Sequence, residues 1–367
     1  MVAVFSRFYS PEEFPFLIYL TWVTSFVLFV SFVVLSTYLI KLRKALRRKE
    51  KERKDCKLSY EPFIIEYLYS SEDPKVLTER QHEIIETLKP KIQSASQRKV
   101  IISILYNLMN EVSGEMAESI KLFYYKTGLI EYGVAKLQNK NWYVIAKGIG
   151  ELTRFNIKEV HQQVEPFVNH ERKEVRSEAH MYMVNLFHFE GLTFLDNLDV
   201  PLSEWNQIQL LEVLQKIDNQ SICDIKPWLN SKNDTVVIFA LKLAEIYNQY
   251  EVNTTLLGLL NHPNKNIRIA VIDALTHLYG IEAVEKLKAN FNNLSVEEQI
   301  SFFQMLEKLV MPTDEPFVEA HLFHKNFDIQ LLALKILKSI NIDKYFEFSG
   351  LPAHKKSQAM LKLTPTN

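Results

Sequence analysis

The sequence predicts an all-α protein, a superhelix of stacked helical hairpins preceded by one transmembrane helix. Three observations predict it. Residues 14–40 contain no charged side chain. Residues 129–340 repeat an apolar helical pattern about every 31 positions. The chain holds only 9 Gly and 13 Pro in 367 residues, which argues against a loop-rich or all-β fold. Hydrophobic residues at 47% and charged residues at 24% place it among globular rather than disordered chains.

The uncharged stretch 14–40 reads FPFLIYLTWVTSFVLFVSFVVLSTYLI. As a helix its 27 residues would run about 40 Å, against a hydrocarbon core of about 30 Å, so it can span with tilt. Tyr19 and Trp22 near one end and Tyr38 near the other suit the two interfaces. A cleaved signal peptide would be shorter, with its basic residues ahead of the apolar run and an Ala-x-Ala site after it. Here the basic residues follow, and no such site is present. A buried core helix seldom carries so long an uncharged run.

Residues 41–57, KLRKALRRKEKERKDCK, hold ten Lys/Arg and three Asp/Glu, a local charge of +7. The first 40 residues carry Arg7, Glu12 and Glu13. With a total of -1, residues 58–367 carry -7. Positive charge directly after the span puts Lys41 onward in the cytoplasm and residues 1–13 outside, as a short extracytoplasmic amino terminus. The basic stretch is a juxtamembrane linker that continues the helix, with Leu42, Ala45 and Leu46 as a narrow apolar strip. Lys41, Arg43, Lys44, Arg47 and Arg48 are candidate lipid-facing cations. The plainer reading, in which they only fix topology, is preferred.

The repeat is anchored at Val175, Val236, Ile267 and Ile329, with gaps of 61, 31 and 62. Each anchor is followed at helical spacing by an apolar face, such as Ala270, Val271, Ala274 and Leu275 after Ile267. Each has an apolar residue seven positions earlier, across a polar turn: Val168, Leu229, Leu260 and Leu322. The skipped units hold helical stretches at 202–217 and 294–310. Ser203 and Ser295 are good N-caps there, and Ser295 with Glu298 fits a capping box. One unit upstream of Val175 lies Val144. A period of this length with two helices per unit signals a solenoid, because one hairpin cannot bury its apolar face alone.

The turns Asn261-His262-Pro263 before Ile267-Arg268, and Asn169 before Val175-Arg176 and Ala179, resemble the HEAT repeat in its short bacterial form. The resemblance covers over half the chain and implies a right-handed α-α superhelix spanning 129–350. It also implies a turn ladder of Asn169, Arg176, Asn261 and Arg268. The arginine is replaced by Ile145, Val237 and Gln330 in other copies, and the units at 202–217 and 294–310 keep only the helical period. Residues 58–128 read as helices of less regular spacing and are expected to form a diverged cap. Residues 351–367 are expected to be a polar tail.

Chemistry is sparse. There is no Walker loop, and Gly148-x-Gly150 lacks a third glycine and a preceding strand. Gly148 instead takes the place of Ala179, where helices approach closely. His180 with His188, and His321 with His324, are spaced to share a face, but no carboxylate completes a ligand set. Cys56 and Cys223 show no metal or disulfide spacing. Cys223 lacks a histidine partner and is expected to be packed; Cys56 sits beside the membrane, where lipidation is an alternative to a plain exposed thiol. Trp142, Trp205 and Trp228 fall at helical spacing, which favours core positions.

No catalytic, cofactor-binding or metal residues are assigned, and no cofactor is expected. The function expected is a non-enzymatic scaffold or adaptor, held by 14–40 at the cytoplasmic face of a membrane and binding a protein partner. Two alternatives remain. One is a HEAT-like enzyme of DNA-glycosylase or lyase type, which the -7 charge of residues 58–367 disfavours because no nucleic acid is expected to bind an acidic surface. The other is a sensor of anionic lipid. Thr21-x-x-x-Ser25 would let two spans approach, but a homo-oligomer has no further support.

Overall fold

The computed structural model describes residues 14–70, 77–216 and 223–349. The expected amino-terminal segment 1–13 and the tail 351–367 lie outside them. The described residues are helical, with no strand among them. The chain divides into two compact units, Met1–Tyr132 and Gly133–Asn367.

In the first unit, α1 runs unbroken from Phe14 to Tyr69, so apolar stretch, basic stretch and first packed helix are one element. At about 1.5 Å per residue its 56 residues measure about 84 Å. It is the one helix among the described residues long and apolar enough to cross a membrane. Its side chains from Ile18 to Asp55 are exposed except the half-buried Ser36, so it is not a core helix here. Burial begins at Tyr60, and Ile64, Tyr67 and Leu68 follow at helical spacing. That face packs on α2 (Glu79–Gln93), α3 (Ala95–Glu111) and α4 (Glu115–Lys126). Helix α2 starts at a capping box of Thr78 and Gln81. The buried Gln81 also donates from Nε2 to the Tyr67 carbonyl at 2.9 Å, capping the end of α1. Helix α5 (Leu129–Ala135) leads into the second unit.

The second unit alternates short elements with longer helices. The longer ones are α6 (Trp142–Arg154), α8 (Lys173–Phe187), α9 (Glu204–Gln215), α11 (Asp234–Ile246), α13 (Lys265–His277), α15 (Val296–Leu309) and α17 (Phe327–Ile340). Between them lie α7 (His161–Val164), α10 (Lys226–Leu229), α12 (Asn253–Leu259), α14 (Ile281–Ala289) and α16 (Glu315–Ala320), and α18 (Ile342–Ser349) follows. The fourth residues of the long helices are Ile145, Arg176, Gln207, Val237, Arg268, Gln299 and Gln330. Six steps separate them, five of 31 residues and one of 30, so the register is kept through seven units. Their third residues include Val175, Val236, Ile267 and Ile329, all fully buried. Helix α6 packs on α8, α8 on α9, α11 on α13, α13 on α15 and α15 on α17. Between α9 and α11 hydrogen bonds help make the joint. Asn233 donates to the carbonyls of Leu198 and Val200 at 3.0 and 2.9 Å, and the Leu202 amide donates to Thr235 Oγ1 at 2.8 Å.

The first element of each pair is shorter than a two-helix repeat suggests. Residues Glu190–Asn197 form a 3₁₀ helix, and α7, α10 and α16 have four, four and six residues. Pro227 and Pro316 sit in the first turn of α10 and α16, and Pro166 in that of the 3₁₀ turn after α7. A 31-residue unit that gives 12–15 residues to its second helix has little chain left for the first. Four long helices end on a residue of positive φ, His188 at 58° and Asn156, Asn248 and Tyr279 at 54°, 50° and 53°, and the last three share one closure. After Asn156, Asn248 and Tyr279 the next amide closes the end on a carbonyl five residues back: Ile157 to Leu152, Gln249 to Ala244, Gly280 to Leu275.

Close packing shows at Gly148 and Gly191. A methyl group on Gly148 would lie 2.7 Å from Lys136 Cβ, which explains the small residue there. One on Gly191 would lie 2.2 Å from the Met183 carbonyl oxygen. A methyl on Gly258, in α12, meets nothing within 4 Å. Gly191→Ala should therefore destabilise the chain by about 2 kcal/mol, because backbone must move. Gly258→Ala should stabilise it by about 0.5 kcal/mol through lost unfolded-state freedom. Thermal unfolding of the detergent-solubilised chain reads both, and equal effects of the same sign would contradict this packing.

Candidate functional site

The recurring polar feature is a set of side chains that close the turn ahead of each long helix. Arg176 donates from Nη1 to the carbonyls of His170 and Glu171, six and five residues back, at 2.7 and 2.9 Å. Arg268 does the same to His262 and Pro263 at 2.7 and 3.1 Å. Two expected members of the ladder thus make equivalent bonds. Arg98, the fourth residue of α3 in the other unit, repeats the pattern to Ile92 and Gln93 at 2.8 and 3.3 Å, and its guanidinium lies 3.8 Å from the centroid of Tyr132. Arg98 was missed because it lies outside the 31-residue period.

The units at 202–217 and 294–310 keep more than a helical period. Gln207 and Gln299, at the same fourth position, donate from Nε2 to the carbonyls of Leu202 and Leu294 at 3.1 and 3.2 Å, five residues back. The shorter amide reaches one of the two carbonyls that arginine reaches. Only Ile145 and Val237 leave the position without a donor. The asparagine half of the expected ladder needs one correction. Asn169 donates to the Asn197 carbonyl at 2.7 Å and accepts from the Asp199 amide at 3.0 Å. Asn261 is exposed in the turn. Asn264 takes its place as N-cap of α13, accepting from the Asn266 amide and donating to Asp234 Oδ2 at 2.6 Å. An N-cap must sit immediately before the first helical residue, which Asn261 does not.

Two third positions are polar, and each finds its partner on the preceding long helix. Glu298, buried, receives Arg268 Nε at 2.5 Å and Nη2 at 3.2 Å, and its capping box with Ser295 is formed. Burial raises the Glu298 carboxyl, but the Arg268 and Ser295 hydrogen bonds outweigh it and hold the group below its ordinary value. Asn206 meets His180 Nδ1 at 2.6 Å and Ser177 Oγ at 3.2 Å, and Ser203 caps the same helix. His180 stacks flat on Phe194, with centroids 4.4 Å apart, and its Nε2 lies 2.9 Å from the Val168 carbonyl. Asn206 presents its Oδ1 to Nδ1 while its Nδ2 donates to Ser177 Oγ, and burial pushes the His180 pKa down against the hydrogen bonds to Asn206 and Val168.

The remaining candidates do not converge. Lys41, Arg43, Lys44, Arg47 and Arg48 are all exposed on α1, with Arg48 donating to Glu52 at 2.9 Å. His180 is core, whereas His188 ends α8 at φ 58°, so the two do not share a face. His321 and His324 are 6.0 Å apart beside Phe291, within an aromatic cluster that includes Phe303 and Phe317. No group of three or more metal-ligating side chains occurs among the described residues. Cys56 and Cys223 are half-buried, and burial pushes the Cys223 thiol up. Trp228 is buried, its indole donating to Asp196 Oδ1 at 2.6 Å. Trp142 and Trp205 are exposed, against the expectation of core positions, because both fall in the first turn of a long helix, outside its packed face. A cavity of about 800 Å³ lies between Leu195–Pro201 and Pro227–Asp234, lined by Asp196, Asp199, Lys232 and Asp234. A second, of about 460 Å³, is lined by His161, Glu165, Met183 and Phe194.

No protein-family profile matches the chain, and no curated protein matches it. Among solved structures, an engineered protein from the Northeast Structural Genomics Consortium is 14% identical, over 83% of this chain and 98% of its own, with a TM-score of 0.34. A second engineered protein from the same source is 14% identical, over 58% and 96%, at 0.29. The complex of CpcE and CpcF of phycocyanin lyase from Nostoc sp. PCC7120 is 11% identical, over 76% and 94%, at 0.25. At these scores the likenesses carry no argument.

The two arginines should differ in weight. Arg176→Met removes bonds to carbonyls near the surface and should destabilise by about 1–2 kcal/mol. Arg268→Met also leaves the buried Glu298 without its cation and should destabilise by about 3–5 kcal/mol. Urea unfolding of both variants checks the order, and a larger loss at Arg176 would contradict it.

Proposed function

We propose that this chain is a membrane-anchored α-solenoid of HEAT-like repeats that binds a protein partner and has no catalytic activity. Residues 14–40 cross the bilayer, residues 1–13 lie outside, and the repeats form a right-handed superhelix in the cytoplasm. The supporting observation is the 31-residue register kept through seven long helices. Such stacks offer an extended surface rather than a single cleft. The exposed apolar part of α1 supports the anchor, and the basic residues directly after it support the orientation. Tethering raises the local concentration of the repeats for any partner at the same membrane.

The experiment is photo-crosslinking in native membranes, with reactive amino acids placed on exposed positions of 133–349. Recurrent protein adducts that map to these positions are the expected result. Turnover of a small substrate by the purified chain, without such adducts, would overturn the reading.

A further inference from the structure

One edge of the second unit exposes large apolar side chains in register. Tyr250, Ile281, Met311 and Ile342 are 52%, 52%, 46% and 53% exposed. They are spaced by 31, 30 and 31 residues, and each opens, or directly precedes, the short element that follows a long helix. Tyr279 and Phe346, 67% and 66% exposed, flank them. These elements are linked side by side. Asn253 donates to the Leu278 carbonyl at 3.2 Å, Lys288 pairs with Asp314, and Lys344 pairs with Glu315 at 2.6 Å. Single exposed apolar residues are ordinary on any surface, but four at one repeat position are a row. Tyr279 adds a second sign. It holds a bulky side chain at φ 53°, where glycine or asparagine would be easier, at a cost of about 1 kcal/mol.

The row carries its own charge. Glu251, Glu282 and Asp343 each directly follow a row residue, and Glu347 follows Phe346. All four are exposed and none makes an ion pair among the described residues. Lys286, on α14, is an exposed cation about 140° round the helix from Ile281 and offsets part of this. Acidic residues at helix starts suit the helix dipole, which explains the carboxylates alone but not the apolar side chains beside them. Together they are complementary to a basic segment with a narrow apolar strip. An anionic bilayer surface would be repelled.

The chain itself contains such a segment. Residues 41–57 carry a net +7, against -7 for residues 58–367, with Leu42 and Leu46 exposed on successive turns. We propose that the acidic apolar row docks the basic stretch of α1 from a second copy of this chain. The contact joins two different surfaces of the chain, so it closes a two-fold dimer when two copies exchange it reciprocally and generates rings or open rows when they do not. It does not depend on the scaffold reading. A partner bound elsewhere on the repeats leaves it intact, and its failure leaves that reading standing.

The test is sedimentation of the full-length chain in detergent micelles, at low and high salt. Self-association that weakens about tenfold or more with salt is expected. The variant Glu251→Lys/Glu282→Lys/Asp343→Lys should be monomeric, and so should Arg43→Glu/Arg47→Glu/Arg48→Glu. Mixing the two should restore association, because the intact acidic edge of one variant then meets the intact basic stretch of the other. Tyr279→Ser/Ile281→Ser should weaken association without touching charge. Circular dichroism confirms that each exposed-site variant folds. The proposal is overturned by a wild-type chain that stays monomeric, by association surviving in either charge-reversed variant alone, or by no recovery on mixing. Association surviving in both variants would point instead to contacts between the spans.

Discussion

A hairpin of about 31 residues cannot remove its apolar face from water by itself, and the second unit is built around that constraint. Val175, Val236, Ile267 and Ile329 reach full burial because neighbouring long helices pack against one another. Each such side chain contributes about 1.5–3 kcal/mol when taken from water, so a unit without neighbours would lose most of its stabilisation. The same logic explains the two polar exceptions. Asn206 and Glu298 occupy the third position of α9 and α15, where other units have valine or isoleucine. Each meets polar side chains from the preceding long helix, Ser177 with His180 and Arg268 respectively. A polar residue is tolerated in the shared interior only where its neighbour completes it.

Helix α1 obeys the opposite rule. Its apolar residues face outward all round, with no protein against them from Ile18 to Ile40 except at Ser36. The hydroxyls of Thr21, Thr24 and Thr37 turn back onto helix carbonyls at 2.7, 2.9 and 2.8 Å. That leaves few polar groups seeking water, which suits a hydrocarbon surrounding. The helix then continues through ten cations without a break until Tyr60 begins to pack. A continuous helix transmits position and orientation from the apolar part to α2, α3 and α4, which a flexible linker would not do.

The apolar period and the N-caps were legible in the sequence because both are local and strongly typed. Ser203 and Ser295 cap the helices as their positions suggested, and Val144 is the third residue of α6. The turn-closing side chains were legible only where they are arginine. Gln207 and Gln299 fill the same position with a shorter amide, so residue identity alone hid them. Asn264, the N-cap of α13, was not singled out, because only the exact helix start shows which residue of the turn caps it. The short first elements escaped notice because an apolar residue seven positions upstream fits a 3₁₀ turn as well as a helix. The exposed row was invisible for a related reason: a tyrosine or isoleucine at a helix start reads as core until the neighbouring unit is placed.

The most direct measurement of a register-built interior is excision of one period. Deleting residues 238–268 joins Val237 to Ile269, the fourth residue of α11 to the fifth of α13, and keeps every later helix in phase. The shortened chain should unfold cooperatively, with helical circular dichroism per residue unchanged. Deleting 238–252, about half a period, should abolish the transition. Loss of cooperative unfolding in the first variant, or its survival in the second, would contradict the account.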